Sequence, residues 1–462
     1  MVGPSAQAPP RTSDRGQGGL LATKLFTPRP QLGFVSRPRL LEALSAGAAR
    51  GVIVISAPAG FGKTALLAEW TLRRSVAWLS LDAGDNDPAR FWRHAIAALD
   101  RVRPGIAERV APLLGPPTPP SFEGLVTALI NELAGEADEG EAVLILDDYH
   151  EIDSQAVHAS LTFLLEHRPP ELRLVLTSRA DPPLPLARLR AGGQLAELRA
   201  ADLRFTTEEA AALLREAVGP DQVLPDASVV ALATRTEGWA AGLQLAALSL
   251  QGQSDVADFV TTFSGSHRYV LDYLTEEVLE RQTAQVRGFL LETSVLDRLS
   301  SELCDAVTGR SDSQAMLDAI DRANLFLVPL DDVRDWWRYH HLFADLLRAR
   351  LQQQQPDRAP ELHRNAAVWY AQNGLADDAI RHALAAGDAV WAARLIEQLF
   401  DALFLREGTT LQRWLSALPA EVVGSRPRLL LTQAHNDRPQ RPAGGGRGNA
   451  GFGRARVRRI WR

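Results

Sequence analysis

The residues best suited to chemistry are Lys63 and Thr64, which close the stretch Val52–Thr64, VIVISAPAGFGKT. From Ala57 onward it follows the phosphate-loop pattern with one change, because Ala57 stands where the pattern has its first glycine. Gly60 and Gly62 let the backbone curl, so that the N–H groups along Ala59, Gly60, Phe61 and Gly62 can point at phosphate oxygens. Lys63 would reach the outer phosphates and the Thr64 hydroxyl would ligate Mg²⁺. An ordinary glycine turn would not need a preceding apolar strand, a GKT ending and a following helix together. The stretch therefore predicts binding of a nucleoside triphosphate.

A second group lies about 80 residues further on, at the spacing such sites use. Ala142–His150, AVLILDDYH, is an apolar run ending in two aspartates, which describes a buried parallel strand with carboxylates at its C-terminal edge. Asp147 is the metal-side candidate and Asp148 the candidate for orienting the attacking water; the bland alternative is a strand end with capping aspartates. Leu172–Pro183, LRLVLTSRADPP, is another such strand, running out into Ser178 and Arg179. An arginine there can reach a γ-phosphate, or can pair with a nearby carboxylate. Ahead of the loop, Val35, Ser36 and Arg37 form a hydrophobic-x-Arg step. It either packs beside the nucleotide base or belongs to a surface arm with a structural arginine.

These groups need a sheet to hold them. Buried-strand patterns at Val52, Val76–Asp82, Ala142, Leu172 and Gln194–Arg199 alternate with helical ones. The helices run from Lys63 to about Arg74, from the Asp87-Pro88 start, and from Phe122 to about Leu133, with a Pro-rich connection over Pro104–Pro120. Such alternation predicts an α/β, doubly wound parallel sheet with nucleotide at the strand ends. From Thr206 the pattern turns helical, opened by the capping residues Thr206 to Glu209. Leu325–Leu330 and Trp336–Tyr339 read as a β-wing, followed by a helix starting at His340 and His341. Pro360–Ala420 reads as helical hairpins, the beginning of a solenoid.

The chain has 462 residues, is 46% hydrophobic and 23% charged, and carries a net charge of −6, so it lacks an overall nucleic-acid footprint. Its single cysteine, Cys304, cannot form an internal disulfide and is expected in the core. No long apolar run or hydrophobic N-terminal signal occurs, which predicts a cytoplasmic protein without a membrane partner.

KLFTPRP, VSRPRLLEAL, APAGFGKT, ILDDYH, TSRADPPLPLARLRA, TEGWAAGLQLAAL and WRYHHLFADLLRARL, in that order from about Lys24 to Ala434, resemble the MalT-like large ATP-binding LuxR-type transcriptional regulators. These are STAND-class NTPases, and Ala57 matches that family's own form of the loop. The resemblance implies a phosphate-loop NTPase core, then all-α helical and winged-helix subdomains, an α-solenoid (TPR-like) sensor and a C-terminal helix-turn-helix that binds DNA. It implies that ADP holds the resting state, while ATP plus an inducer, a small molecule or a protein, drives homo-oligomerisation. Residue by residue, Arg179 matches the γ-phosphate sensor and His340 the winged-helix histidine that touches the β-phosphate of ADP. Gly238 to Ala240 sits at the family's Gly-x-Pro but lacks the proline.

The resulting layout is a disordered start over 1–20, an NTPase domain over 21–205, a helical subdomain over 206–290 and a winged helix over 291–352. The solenoid would begin at 359–434 and a basic tail would occupy 435–462. The tail carries many arginines and its composition resembles GC-rich DNA read out of register, so a frameshift is expected; the competing reading is a real basic tail that touches nucleic acid without sequence preference. The chain is thus expected to lack the family's DNA-binding domain. The functional expectation is a slow, regulatory ATP switch. The alternative is an AAA-like ATPase or phosphotransferase acting on a small molecule, weakened by the lack of a second catalytic constellation.

Overall fold

Val52–Ser56 has no charged residue and forms a strand, β1, buried along its whole length. In the computed structural model, which describes residues 20–28, 34–72, 74–114, 122–135, 140–218, 224–250, 256–265, 267–403 and 414–430, it joins four others. These are β2 (Ala77–Ser80), β3 (Ala142–Asp147), β4 (Leu172–Ser178) and β5 (Leu195–Arg199). All pairings are parallel and the spatial order is β2-β3-β4-β1-β5. Burial on both faces explains why the strands read as continuous apolar runs rather than alternating ones. Register sets the site: Ser56 is opposite both Ser178 and Arg199, and Ser80 is opposite Asp147. The C-terminal ends of β1, β3 and β4 therefore share one edge.

Helices return the chain between strands. Pro38–Ala48 begins with proline at its first position and packs on β1 and β5. Pro88–Asp100 is capped by the Asp87 carboxylate, which accepts from the Arg90 N–H at 2.7 Å, and it packs on β2 and β3. The helix after the phosphate loop is shorter than expected: it ends at Trp70, where the Thr71 N–H closes on Glu69 and Leu67 carbonyls. Part of the expected connection after Pro104 is instead a helix, Ile106–Val110. Asp100 accepts there from the N–H groups of Gly105 (2.9 Å) and Ala107 (3.0 Å), and Ile106 and Val110 are fully buried. Ahead of the sheet, the arm residue Lys24 is buried in an ion pair with Asp85 and with Asp82.

This compact unit continues past Phe205, the expected domain end, to take in the Thr207–Val218 helix and residues Trp239–Gln244. Thr206 and Glu209 form the reciprocal cap expected there, with N–H to side-chain distances of 3.2 and 3.0 Å.

The second unit, Leu224–Gly238 and Leu245 onward, is mainly helical. Its helices include Asp226–Thr236, Arg268–Leu274, Ala284–Thr293, Ser301–Thr308 and Ser313–Arg322. The expected wing is present as β6 (Leu327–Pro329) and β7 (Trp337–Tyr339), an antiparallel pair. Asp331 closes its tip by accepting from the N–H groups of Asp335 (2.9 Å) and Trp336 (3.0 Å). His340 immediately precedes the His341–Gln354 helix, and Cys304 is buried as expected. Arg358–Gln372, Ala376–Ala385 and Ala389–Leu403 pack in sequence as helical hairpins. The expectations for 1–19 and for the tail fall outside the described residues. No helix among the described residues is long and apolar enough to cross a membrane.

Candidate functional site

Between β1 and the Lys63–Trp70 helix the chain turns through two left-handed glycines, Gly60 (φ 75°) and Gly62 (φ 74°). A Cβ on Gly62 would also lie 3.1 Å from Arg37 Nη2. The loop's carbonyls are taken up by protein donors. Lys63 Nζ donates to the carbonyls of Ala57 (2.7 Å) and Pro58 (3.0 Å). The Trp239 indole N–H donates to Ala59 (3.0 Å) and the Ala241 N–H to Gly60 (2.9 Å). Arg37 donates to the Gly62 carbonyl at 3.1 Å. Carbonyls turned toward protein donors suit the opposite, N–H side of such a loop to an anion, at the positive end of a helix.

The carboxylates stand beside it. Asp147, at the end of β3, is buried, and the Thr64 hydroxyl lies 3.2 and 3.1 Å from its two oxygens. The Thr177 hydroxyl donates to Asp147 at 2.6 Å and accepts from the Asp148 N–H at 2.9 Å. Burial, and then the charge of Asp148, push the Asp147 carboxyl up to about 6. Burial likewise lowers Lys63 to about 8; Asp148 and Asp147 oppose that shift and Arg179 adds to it. Lys63 thus feels Asp147, Asp148 and Arg179 together, so four of the residues singled out in the sequence share one place. Asp148 is a non-glycine residue at φ 59°, a conformation that the surrounding structure must enforce. Arg179 follows β4, half-buried, and two residues beyond it Asp181 accepts from the Ser56 hydroxyl at 3.1 Å and pairs with Arg199.

Arg37 takes the structural option. Its guanidinium is buried, donates to the carbonyls of Leu203 (3.2 Å) and Gly62, and lies over the Phe205 ring, 5.0 Å from its centroid. Burial lowers it to about 10. Held by these partners, Arg37 buttresses the loop; Val35, two residues earlier, is half-buried. His340 belongs to the second unit, where Nε2 lies 2.9 Å from the Thr236 carbonyl and the ring stands edge-on to Phe326. Next to it Glu237 (φ 49°) pairs with Arg338 at 2.7 and 2.8 Å. Burial works against the Glu237 charge, but Arg338, the charge of His340 and the His341 N–H together outweigh it and bring the carboxyl down to about 2.

Trp239 and Thr177 were missed as site residues by sequence reasoning. Trp239 was legible as a Trp at a helix entrance and as the middle of the Gly238–Ala240 step that the resemblance matches to the family's Gly-x-Pro, and Thr177 as one residue of a strand.

The residues fit Mg²⁺ bound together with phosphates. Among the described residues no cluster of three or more His, Cys, Asp or Glu could hold a metal alone. Mg²⁺, however, commonly takes one carboxylate and substrate oxygens. A desolvated Asp147 beside the Thr64 hydroxyl offers that, because a cation would relieve the burial that raises its pKa. A proton competes for the same oxygens. Mg²⁺-dependent nucleotide affinity should therefore weaken as the pH falls through about 6, where Asp147 takes up its proton, and Asp147→Asn should flatten that fall. Fluorescent-nucleotide titrations between about pH 8 and 5 would check this; a flat wild-type profile would remove Asp147 from the metal.

Two family profiles match the chain, an AAA ATPase domain over residues 38–177 and a MalT winged helix domain over residues 275–359. With the sheet and loop above, they define a P-loop NTPase that carries a MalT-type winged helix. The serine/threonine-protein kinase PknK of Mycobacterium tuberculosis H37Rv is 41% identical over 431 residues, covering 91% of this chain and 38% of PknK. The HTH-type transcriptional regulator MalT of Klebsiella pneumoniae (MGH 78578) is 35% identical over 419 residues, 90% of this chain and 46% of MalT. That of Vibrio parahaemolyticus is 32% identical over 420 residues, 90% of this chain and 46% of the regulator. Over about nine-tenths of its length the chain is similar to these MalT-type proteins. It spans 38% to 46% of the length of these curated relatives.

Proposed function

We propose that this chain is the ATP-binding signal-transduction switch of a LuxR-family transcriptional regulator. The observation that carries the reading is the meeting of Lys63, Thr64, Asp147, Asp148 and Arg179 at one sheet edge, beside a loop whose carbonyls are tied off by Arg37, Trp239 and Ala241. The N–H groups of Ala59, Gly60, Phe61 and Gly62 and the Lys63 ammonium hold the phosphates. Thr64 and Asp147 hold Mg²⁺, which neutralises charge on the phosphate oxygens. Asp148 orients water, Arg179 reads the γ-phosphate, Val35 lies beside the base and His340 contacts the β-phosphate of ADP. ADP keeps the resting state; ATP with an inducer promotes self-association. Turnover is slow, because hydrolysis resets a state and yields no needed product. The domain plan is an NTPase core, a helical subdomain, a winged helix and the start of a sensor solenoid, acting in the cytoplasm.

The test is to purify the full chain, denature it and identify the released nucleotide beside a Lys63→Ala variant. Sizing chromatography would then be run with ADP and with a non-hydrolysable ATP analogue. Retained ADP that the variant lacks, and larger assemblies only with the ATP analogue, support the switch. A protein that turns over ATP rapidly with a small-molecule co-substrate and stays monomeric would make it an enzyme of the phosphotransferase kind.

A further inference from the structure

The second unit contains a cleft of about 390 Å³ that none of the roles above uses. One wall is the π-helical turn Thr275–Leu279, a rare backbone form that recurs at functional sites. The other walls come from the Ala284–Thr293 helix, through Arg287 and Gly288, and from the end of the His341–Gln354 helix, through Arg350 and Gln354.

Two arginines face this space with unused donors. Arg287 is half-buried and makes no ion pair or side-chain hydrogen bond among the described residues. Neighbouring arginines of the same unit do pair, Arg281 with Glu277, Arg348 with Asp297 and Arg358 with Glu292. Arg350 donates to the Thr275 hydroxyl at 3.0 Å and to the Gln353 side-chain oxygen at 3.4 Å, which steadies its guanidinium, while its buried Nε has no partner. Buried donors are normally satisfied, so the Arg350 Nε calls for an acceptor, and the half-exposed Arg287 guanidinium beside it is open to one from outside the chain.

Gly288 is the second observation. It lies inside a helix, where alanine would be the better former, yet a Cβ there would meet nothing within 4 Å. Nothing in the fold requires glycine at this point, but a side chain would enter the cleft. The volume is that of a small-molecule site. Among the described residues no aromatic ring lines it, so they offer a nucleobase no stacking surface. Glu280, exposed at the rim, would repel a bare anion but can accept from hydroxyl groups.

We propose that this cleft binds a small hydroxylated organic anion, its carboxylate or phosphate gripped by the guanidinium groups of Arg287 and Arg350 and its hydroxyls by Glu280 and Gln354. The proposal is independent of the nucleotide reading. Guanidinium forks match either anion bidentately, so the head group is decided by experiment.

The full chain, saturated with ADP to occupy the phosphate loop, would be titrated calorimetrically with citrate and with glucose 6-phosphate. Arg287→Met and Gly288→Leu would be titrated alongside, with ADP affinity and the unfolding midpoint as checks on the fold. At least one probe should bind wild type saturably, and each variant should lose about tenfold or more in affinity, as expected for a lost charge-assisted contact or a filled cleft. The probe that binds identifies the head group. Should one variant fail to fold, the other still decides. Failure of both probes to saturate below about 10 mM, or undiminished binding in the folded variants, overturns the proposal.

Discussion

Lys63→Ala should lower nucleotide affinity by about a hundredfold or more, the loss expected when charge-assisted bonds to a phosphate oxygen are removed from a buried site. The structure explains why a single side chain has this leverage. Lys63 is buried and its ammonium rests on the carbonyls of Ala57 and Pro58, held within reach of the loop. Burial has already lowered it to about 8, so much of its hydration is given up before any ligand arrives. An entering phosphate then meets a cation that has little water left to shed. The fold should tolerate the change, because an ammonium that is costly to bury is removed along with its two bonds. Nucleotide titration beside a urea melt separates the two effects; unchanged affinity in a folded variant would displace Lys63 from the site.

The second large effect is expected at Trp239. Its side chain is 0% exposed, and truncating a buried Trp to alanine costs about 3–5 kcal/mol, enough to endanger the unit. Trp239→Ala should therefore unfold at much lower urea and retain little nucleotide. That result alone would not distinguish packing from a role in the loop. Trp239→Phe makes the distinction, because it keeps most of the ring volume and removes only the indole donor to the Ala59 carbonyl. It should lose about 1 kcal/mol of stability and, with Ala59 released, bind nucleotide several-fold more weakly. If Trp239→Phe binds nucleotide as tightly as wild type, the indole bond has no part in shaping the loop.

Much of this protein is determined by sequence that acts locally. Glycines at Gly60 and Gly62, a strand of continuous apolar residues before them and Lys63-Thr64 after them are contiguous, so the left-handed turn of the loop follows from local backbone sterics. Strand–helix alternation likewise requires a parallel sheet, since parallel neighbours need a crossover. The two aspartates at the end of β3 and the arginine after β4 were legible for the same reason: a strand end places them at an edge. The wing and the hairpins after it also follow from short-range periodicity and turn residues.

What only the tertiary structure decided depends on partners far apart in sequence. Arg37 is a buttress of the loop because Leu203, 166 positions away, brings a carbonyl to it. Trp239 is 180 positions from the Ala59 carbonyl that it holds. Thr177 ties Asp147 to β4 only because β4 lies between β1 and β3, an order that no strand pattern contains. The helix Ile106–Val110 rests on Asp100 closing back on the turn after it, which overrode the prolines around it. Hydrogen bonds and packing between distant segments leave no period in the chain, and that is the physical limit of reading it in one dimension.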